Sequence, residues 1–378
     1  MILKQLQLQN FRNYSKKEFD FSDKTTLVVG PNASGKTNLL EAIYLLATSK
    51  SFKADLEGEM ISYEKELSRV KGTIEKNGQK ENLEIVLTRG FVQNEKVAHK
   101  KCLVNGVAKR QTDFIGNLRA VYFGPEDLEL VTDSPSTRRK YLDMVLTQVD
   151  REYTRALLSY EKGLRARNKV LEAIRETGAP RSQLFFWNQL LVRNGELITQ
   201  KREEYVNSVN SYQSSVFSLQ YKVEYDKSLI SAARLEQYKE EEVAAGATLV
   251  GPHRDDWLIR INANGNNANQ LSEYGGRDIS AYGSRGEPRI SRDLSVYGSR
   301  GEQRLAVLWL KLCERAFIEE KTQELPILLL DDIFSELDKE HRELVWQVVG
   351  KQQTIITTAD IEQIGPEWSK KAEVIELE

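Results

Sequence analysis

The sequence predicts an α/β fold in which a helical subdomain interrupts a strand-and-helix sheet. Three observations carry this. A glycine-rich loop stands between a short apolar strand and an apolar helix near the N-terminus. A second apolar strand, ending in two acids, lies near the C-terminus. Between them runs a long stretch of apolar residues at helical spacing.

The chain has 378 residues, of which 40% are hydrophobic and 29% charged, enough for a real core under a charged surface. No apolar run approaches the length of a membrane-spanning helix. The first residues, Met1 to Gln9, alternate like a strand and lack the apolar region of a signal peptide, so a cytoplasmic protein without a membrane partner is expected. Cys102 and Cys313 sit far apart in different contexts, which fits reduced core thiols rather than a disulfide framework or metal site. The net charge of −2 supplies no bulk attraction for nucleic acid, so any such surface must be a local basic patch.

The glycine loop reads Gly30-Pro31-Asn32-Ala33-Ser34-Gly35-Lys36-Thr37 and fits the phosphate-binding P-loop pattern without a mismatch. Glycines let the backbone curl so that its N–H groups face phosphate oxygens. Lys36 is placed to reach the β- and γ-phosphates, and the Thr37 hydroxyl to ligate Mg²⁺. Thr25 to Val29 reads as a buried strand before the loop, and Asn38 to Leu46 as an apolar helix after it, which is the setting an anion site needs. Leu83 to Leu87 and Cys102 to Gly106 read as further strands, the latter ending in an Asn-Gly turn.

Ser134-Pro135 signals a helix start. Leu142, Val145, Leu146, Val149, Tyr153, Leu157, Tyr160 and Leu164 then recur at steps of three and four, predicting one amphipathic helix as far as Gly178-Ala179-Pro180. A second helical stretch runs from Leu184 past Val209, each about forty residues and roughly 60 Å long if unbroken, joined as an antiparallel hairpin. Strands return at Thr248-Leu249-Val250 and at Trp257 to Ile261, expected to share one sheet with the P-loop strand. Residues 262–291, rich in Asn, Gly and Ser, read as a loop. The expected organisation is an N-terminal P-loop lobe over 1–133, an inserted helical arm over 134–245, and a C-terminal lobe over 246–378.

Pro326 to Leu330 is apolar on both faces, as a central parallel strand requires, and it ends in Asp331-Asp332. Acids at that end of such a strand lie where ligands bind in open α/β sheets. Asp331 is therefore expected to hold Mg²⁺ as a Walker B carboxylate, and Asp332 to polarise an attacking water. Tyr297-Gly298-Ser299-Arg300-Gly301-Glu302-Gln303 runs straight into the apolar stretch Leu305 to Leu312, so Ser299 and Gly301 sit at a helix N-terminus able to hold a γ-phosphate, most naturally that of a partner subunit.

The order P-loop, insertion, Ser-x-Gly-Glu-Gln, apolar strand with two acids, then Ser335-Glu336-Leu337-Asp338 is similar to the ABC-type ATPases of the SMC-like branch. Asn10 to Tyr14, Pro125 to Leu128, Arg138 to Asp143 and Gly251 to Asp256 look specifically like the RecF family of bacterial recombinational-repair proteins. The resemblance spans nearly the whole chain. It implies an ABC-type ATPase head with an inserted arm, ATP and Mg²⁺ as ligands, an ATP-induced homodimer that clamps duplex DNA at gaps and single-strand junctions, slow hydrolysis, and work with RecO and RecR in loading RecA. It implies that Lys36, Asp331 and Asp332 are catalytic, that Ser299, Gly301 and Glu302 reach the partner's nucleotide, and that Ser335 to Asp338 cross the dimer interface. Arg12 is a further candidate over the nucleotide, beside a surface role. The segment after the last core strand, Thr354 to Asp360, carries no histidine, so the γ-phosphate sensor is unassigned.

Candidate DNA contacts are Arg138, Arg139 and Lys140 at a helix start, and Lys162, Arg165, Arg167 and Lys169 along the arm, because Lys and Arg neutralise phosphates without reading sequence. Asp278 to Glu287 nearly duplicates Asp293 to Glu302; only the second copy feeds a helix, and Pro288 follows the first, so the signature is assigned to Ser299 and the extra copy is read as a loop insertion. A transporter ATPase subunit would be expected to carry an LSGGQ-like signature and a switch histidine. A nuclease-linked relative would need a far longer arm with a Cys-x-x-Cys hook, and a small-molecule kinase would not place its carboxylate strand so late.

Overall fold

The P-loop strand, Thr25–Val29, lies inside a parallel five-stranded sheet. The computed structural model describes residues 1–212, 220–263, 290–335, 339–364 and 371–378. The spatial order is Ala120–Phe123, Ile327–Asp331, Thr354–Thr358, Thr25–Val29, Glu373–Glu376, and every neighbouring pair is parallel. Ile327–Asp331 and Thr354–Thr358 are buried at every position, as strands covered on both faces must be. Register aligns Asp331 with Thr357 and Thr358 with Val29, so the acids and the loop that follows Val29 emerge on one edge.

A second, antiparallel sheet of six strands has the order Tyr14–Asp20, Ile2–Phe11, Leu67–Lys76, Gln79–Thr88, Lys100–Val104, Val107–Lys109. Its first strand buries Leu3 but then Leu6 and Leu8, a break in the two-residue alternation. The register against Leu67–Lys76 shifts between Leu3 and Gln5, and this irregularity changes which parity faces the core. The P-loop helix, Lys36–Thr48, packs against strands of both sheets and is buried from Leu39 to Thr48. A helix apolar all round belongs in such an interior. Gly72 permits the close approach: a Cβ there would lie 2.7 Å from Leu46 Cδ1.

The chain forms two compact units, Met1–Asp127 with Glu314–Glu378, and Leu128–Cys313. The expected C-terminal lobe is therefore divided: 246–313 belongs with the helices and 314–378 with the P-loop sheet.

In the second unit the first arm helix is not continuous. Pro135–Val149 and Arg151–Thr177 meet at Asp150, which has extended backbone (φ −132°, ψ 108°). The Asp150 carboxylate accepts the Glu152 and Tyr153 N–H groups at 2.8 and 3.0 Å, an N-cap that starts a new helix without disturbing the apolar spacing. The second helix, Leu184–Ser211, has 28 residues rather than forty. Trp257 to Ile261 lies in the strand Asp256–Ala263, but this strand pairs with Gln220–Asp226 and Ile290–Asp293 in a separate antiparallel sheet, not with the P-loop strand. Thr248-Leu249-Val250 is loop, because its polar groups are engaged by side chains: Thr248 bonds Arg167, Asn168 and His253. The helix Arg300–Thr322 begins in the second unit and ends in the first. The first copy of the duplicated segment, Asp278 to Glu287, and Glu336 to Asp338 lie outside the described residues.

Candidate nucleotide site

The glycine loop closes on a cleft of 420 Å³ in the first unit, lined among others by Lys36, Thr37, Asp331 and Asp332. The backbone is curled by Ala33 (φ 69°) and Gly35 (φ 105°), the second of which caps the helix. Gly35 is also closely packed: a Cβ would meet Asn13 Nδ2 and Tyr14 Oη, each at 2.7 Å. Both neighbours hold the loop. Asn13 Nδ2 donates to the Ser34 carbonyl at 3.3 Å and Tyr14 Oη to the Gly35 carbonyl at 3.1 Å. Burial pushes the Tyr14 phenol up to about 12, so it keeps the proton it donates. The Gly30 and Ser34 N–H groups are engaged, by the Thr358 and Pro31 carbonyls at 3.4 and 3.2 Å, so an anion would be met by the N–H groups at the start of the helix. Lys36 is 8% exposed, and its ammonium donates to the Gly30 and Pro31 carbonyls at 2.7 and 2.8 Å, spanning the loop.

Asp331, 4% exposed, is fixed on both oxygens: Oδ1 accepts the Thr357 hydroxyl at 2.5 Å and Oδ2 the Tyr122 hydroxyl at 3.2 Å. The single Tyr122 proton is shared with Glu126 Oε2, which lies nearer at 2.7 Å. Burial, reinforced by Asp331 and Glu126, raises its phenol well out of reach of titration, so it remains a donor. Phe52 stacks on the Tyr122 ring at 3.7 Å between centroids. Asp332 follows with φ 51°, a conformation that turns the chain out of the strand end. Partial burial raises its carboxyl above the ordinary range; Asp331 adds to this and Lys36 opposes it.

The residues fit a nucleotide phosphate with its metal. The Ser34 hydroxyl is buried without a hydrogen-bond partner among the described residues, a donor waiting at the loop. Thr37 and Asp331 share the cleft and are hard oxygen ligands of the kind Mg²⁺ takes.

Arg12 does not join them. Its guanidinium forms a bidentate pair with Glu41, at 2.8 and 2.7 Å, and donates to the Glu59 carbonyl at 2.9 Å. The next residue, Asn13, lines the cleft instead, together with Lys53 and Glu126. Lys53 arrives through a relay. Glu41 accepts the Ser51 hydroxyl at 2.5 Å, and Ser51 Oγ accepts the Lys53 and Ala54 N–H groups at 2.9 and 2.7 Å. Asn13 and Glu126 lie in family-like blocks and Lys53 just after the P-loop helix, but no local pattern in the sequence assigns any of the three to the cleft.

In the second unit Ser299 caps the signature helix. Its N–H and hydroxyl both donate to Glu302 Oε2, at 2.8 and 2.9 Å, and the Glu302 N–H returns to Ser299 Oγ at 3.3 Å. Ser299, Arg300 and Gly301 are exposed, as are the adjacent Val296 and Tyr297.

The basic candidates divide. Arg138 is 5% exposed and makes a bidentate pair with Asp256 at 2.6 and 2.9 Å. Arg139 donates to the Asp255 carbonyl at 2.8 Å, and Lys140 is half-buried. Arg167 is buried against Glu242, Asn188 and Thr248. Arg138 and Arg167 thus act inside the fold rather than at its surface, because each lies on the packed face of its helix. The two most specific sequence blocks, Arg138 to Asp143 and Gly251 to Asp256, meet each other here: Arg202 joins Asp143 and Asp255 at 2.8 and 2.9 Å. Lys162, Arg165 and Lys169 are exposed, and so are Arg151 and Arg155. At 100° per residue these five fall within a sector of about 80° on the helix Arg151–Thr177, over roughly 27 Å. No acid shares the sector until Glu176, near the helix end.

A P-loop parallel sheet carrying paired acids at its strand end, with a separate signature helix, defines the SMC-like class of ABC-type ATPase heads. The model of the RecF/RecN/SMC N-terminal domain matches residues 2–369. The DNA replication and repair protein RecF of Herpetosiphon aurantiacus is 35% identical, over 97% of this chain and 96% of its own. RecF of Lachnoclostridium phytofermentans is 32% identical, over 96% and 94%. The solved structure of the recombination mediator protein RecF-ATPrS of the RecFOR pathway superposes with a TM-score of 0.79 at 29% identity, covering 100% of this chain and 96% of that one. The RecF-ATP structure gives 0.79 at 30%, covering 95% and 92%. The chain belongs to the RecF family.

Proposed function

We propose that this chain is an ATP-hydrolysing DNA-binding protein of recombinational repair, in which ATP joins two copies around a duplex. The observation that carries it is the meeting of Lys36, Thr37, Asp331 and Asp332 in one cleft. The N–H groups at the start of the helix and Lys36 bind the phosphates. Thr37 and Asp331 hold Mg²⁺, which when bound neutralises charge on the phosphates. Tyr122 and Thr357 keep Asp331 oriented. Asp332, whose carboxyl partial burial holds above the ordinary carboxylate range, takes a proton from an attacking water more readily than an ordinary aspartate. Lys53 fills the role of γ-phosphate contact that no histidine supplies.

Ser299 and Gly301 complete the site from a second copy. Their exposure, and that of Val296 and Tyr297 beside them, supports a surface that ATP closes. The basic stripe from Arg151 to Lys169 tracks the DNA backbone in place of Arg138, at gaps and single-strand junctions. Hydrolysis is slow, is stimulated by DNA and reopens the dimer. RecO and RecR are the proposed protein partners, in keeping with the RecFOR pathway of the solved relatives, with RecA loading as the outcome.

The test is sedimentation and DNA binding with and without ATP, using the wild type, Asp332→Asn to slow hydrolysis, and Lys36→Met to remove phosphate binding. ATP-dependent dimers in the first two, and loss of both dimer and DNA binding in the third, are expected. An Asp332→Asn protein that stays monomeric at saturating ATP sinks the composite site.

A further inference from the structure

The signature serine is already committed to an anion. Ser299 gives its N–H and its hydroxyl to the same oxygen, Glu302 Oε2. These are the donors a phosphate oxygen would take at this helix end. The other Glu302 oxygen is held by Arg292, which is 7% exposed and also donates to the Tyr297 carbonyl at 3.1 Å. Arg292 Nε is buried without a partner among the described residues, so this guanidinium has a donor to spare. Arg292 comes from the strand Ile290–Asp293, immediately before the signature.

We infer that Glu302 is an internal competitor for the partner's γ-phosphate and that Arg292 is the positioning residue that sets the strength of the competition. The inference rests on the composite-site reading. When the phosphate arrives, Ser299 must exchange one anion for another, and two negative groups then share one helix end. Repulsion between them opposes dimer closure; the Arg292 charge beside Glu302 offsets part of it. The contact therefore sets a threshold, keeping the signature from closing on weaker anions.

A plain capping role makes a different prediction. Glutamine serves in a capping box as well as glutamate, so Glu302→Gln should then leave closure unchanged. Competition predicts that removing the charge at constant shape tightens ATP-dependent self-association by at least about fivefold, the scale of one relieved like-charge contact at a partly screened site. Arg292→Met should weaken it by a similar factor, because Glu302 loses its counter-charge. The double variant should match Glu302→Gln and stay tighter than wild type, since with Glu302 neutral there is nothing left for Arg292 to balance.

The experiment is analytical ultracentrifugation of the full chain with Mg²⁺ and a slowly hydrolysed ATP analogue. Nucleotide affinity is measured alongside at protein concentrations where the wild type is monomeric. P-loop affinity should be the same in all four proteins, and thermal melts followed by circular dichroism report that the second unit, which holds Arg292 and Glu302, is folded in each. If Glu302→Gln associates no more tightly than wild type, the competition is overturned while the composite site stands. If the wild type itself stays monomeric with the analogue, the composite-site reading fails, and this inference with it.

Discussion

Glu41 carries its charge where water does not reach, at 0% exposure on the P-loop helix. Such a group is tolerable only if paired and hydrogen-bonded on both oxygens, and Arg12 and Ser51 satisfy both. Arg12 thereby acts on the nucleotide cleft at one remove: it fixes Glu41, which fixes Ser51, whose oxygen holds the backbone of Lys53. Arg12→Ala should cost about 3–5 kcal/mol, the usual penalty for orphaning a buried charge, measured by urea denaturation. Pairing it with Glu41→Gln should recover part of the loss, because the charge that lacked a partner is then gone. A residue merely lying over the nucleotide would cost little stability and show no such recovery.

At the scale of elements, the segment Gly251 to Asp256 behaves as a polar clasp in the second unit. His253 is held at both nitrogens: Nε2 faces the Thr248 carbonyl at 3.0 Å and must donate, so Nδ1 accepts the Tyr160 hydroxyl at 2.8 Å. Accepting the Tyr160 hydroxyl requires neutral imidazole, and burial, against the pull of the Thr248 carbonyl, lowers its pKa from 6.5 to about 4. A histidine depressed on folding contributes stability that is complete above its unfolded value and lost as pH falls toward its folded one. Stability should therefore drop between pH 6.5 and 4 by up to about 3 kcal/mol from this group, and His253→Gln should flatten that part of the pH profile. An unchanged slope in the variant would assign the loss to other groups. The clasp also shows where sequence reading stops. The P-loop and the strand ending at Asp331 are legible because local pattern alone determines them. The break at Asp150 is hidden because the new helix resumes in phase with the old, leaving Asp150 itself as the one local sign. The role of Arg138 is hidden because its partner, Asp256, is far away in the chain, and basic character alone does not tell a packed face from a wet one. Asn13, Lys53 and Glu126 carry no periodic signal at all; only strand register and loop closure bring them to the cleft.

At the scale of the whole molecule, a net charge of −2 forces any attraction for DNA into a local feature. The stripe of Arg151, Arg155, Lys162, Arg165 and Lys169 is such a feature, and its worth is readable from salt dependence rather than affinity alone. Each neutralised phosphate contributes about 0.9 to the slope of log K against log salt on duplex DNA. Replacing Lys162, Arg165 and Lys169 together by alanine should lower that slope by about 2 to 3, weakening binding alike on unrelated sequences. These side chains are exposed and the substitutions favour helix, so thermal stability should stay within about 0.5 kcal/mol of wild type. Arg138→Ala gives the converse pattern: stability falls because Asp256 loses its partner, while the salt slope of whatever protein remains folded is unchanged. If the triple variant kept its slope, the phosphate contacts would lie elsewhere. If Arg138→Ala lowered the slope in stably folded protein, the buried pair with Asp256 would have to open on DNA. The two variants, titrated over the same salt range with ATP present, therefore separate a basic surface that meets phosphate from basic residues that hold the arm together.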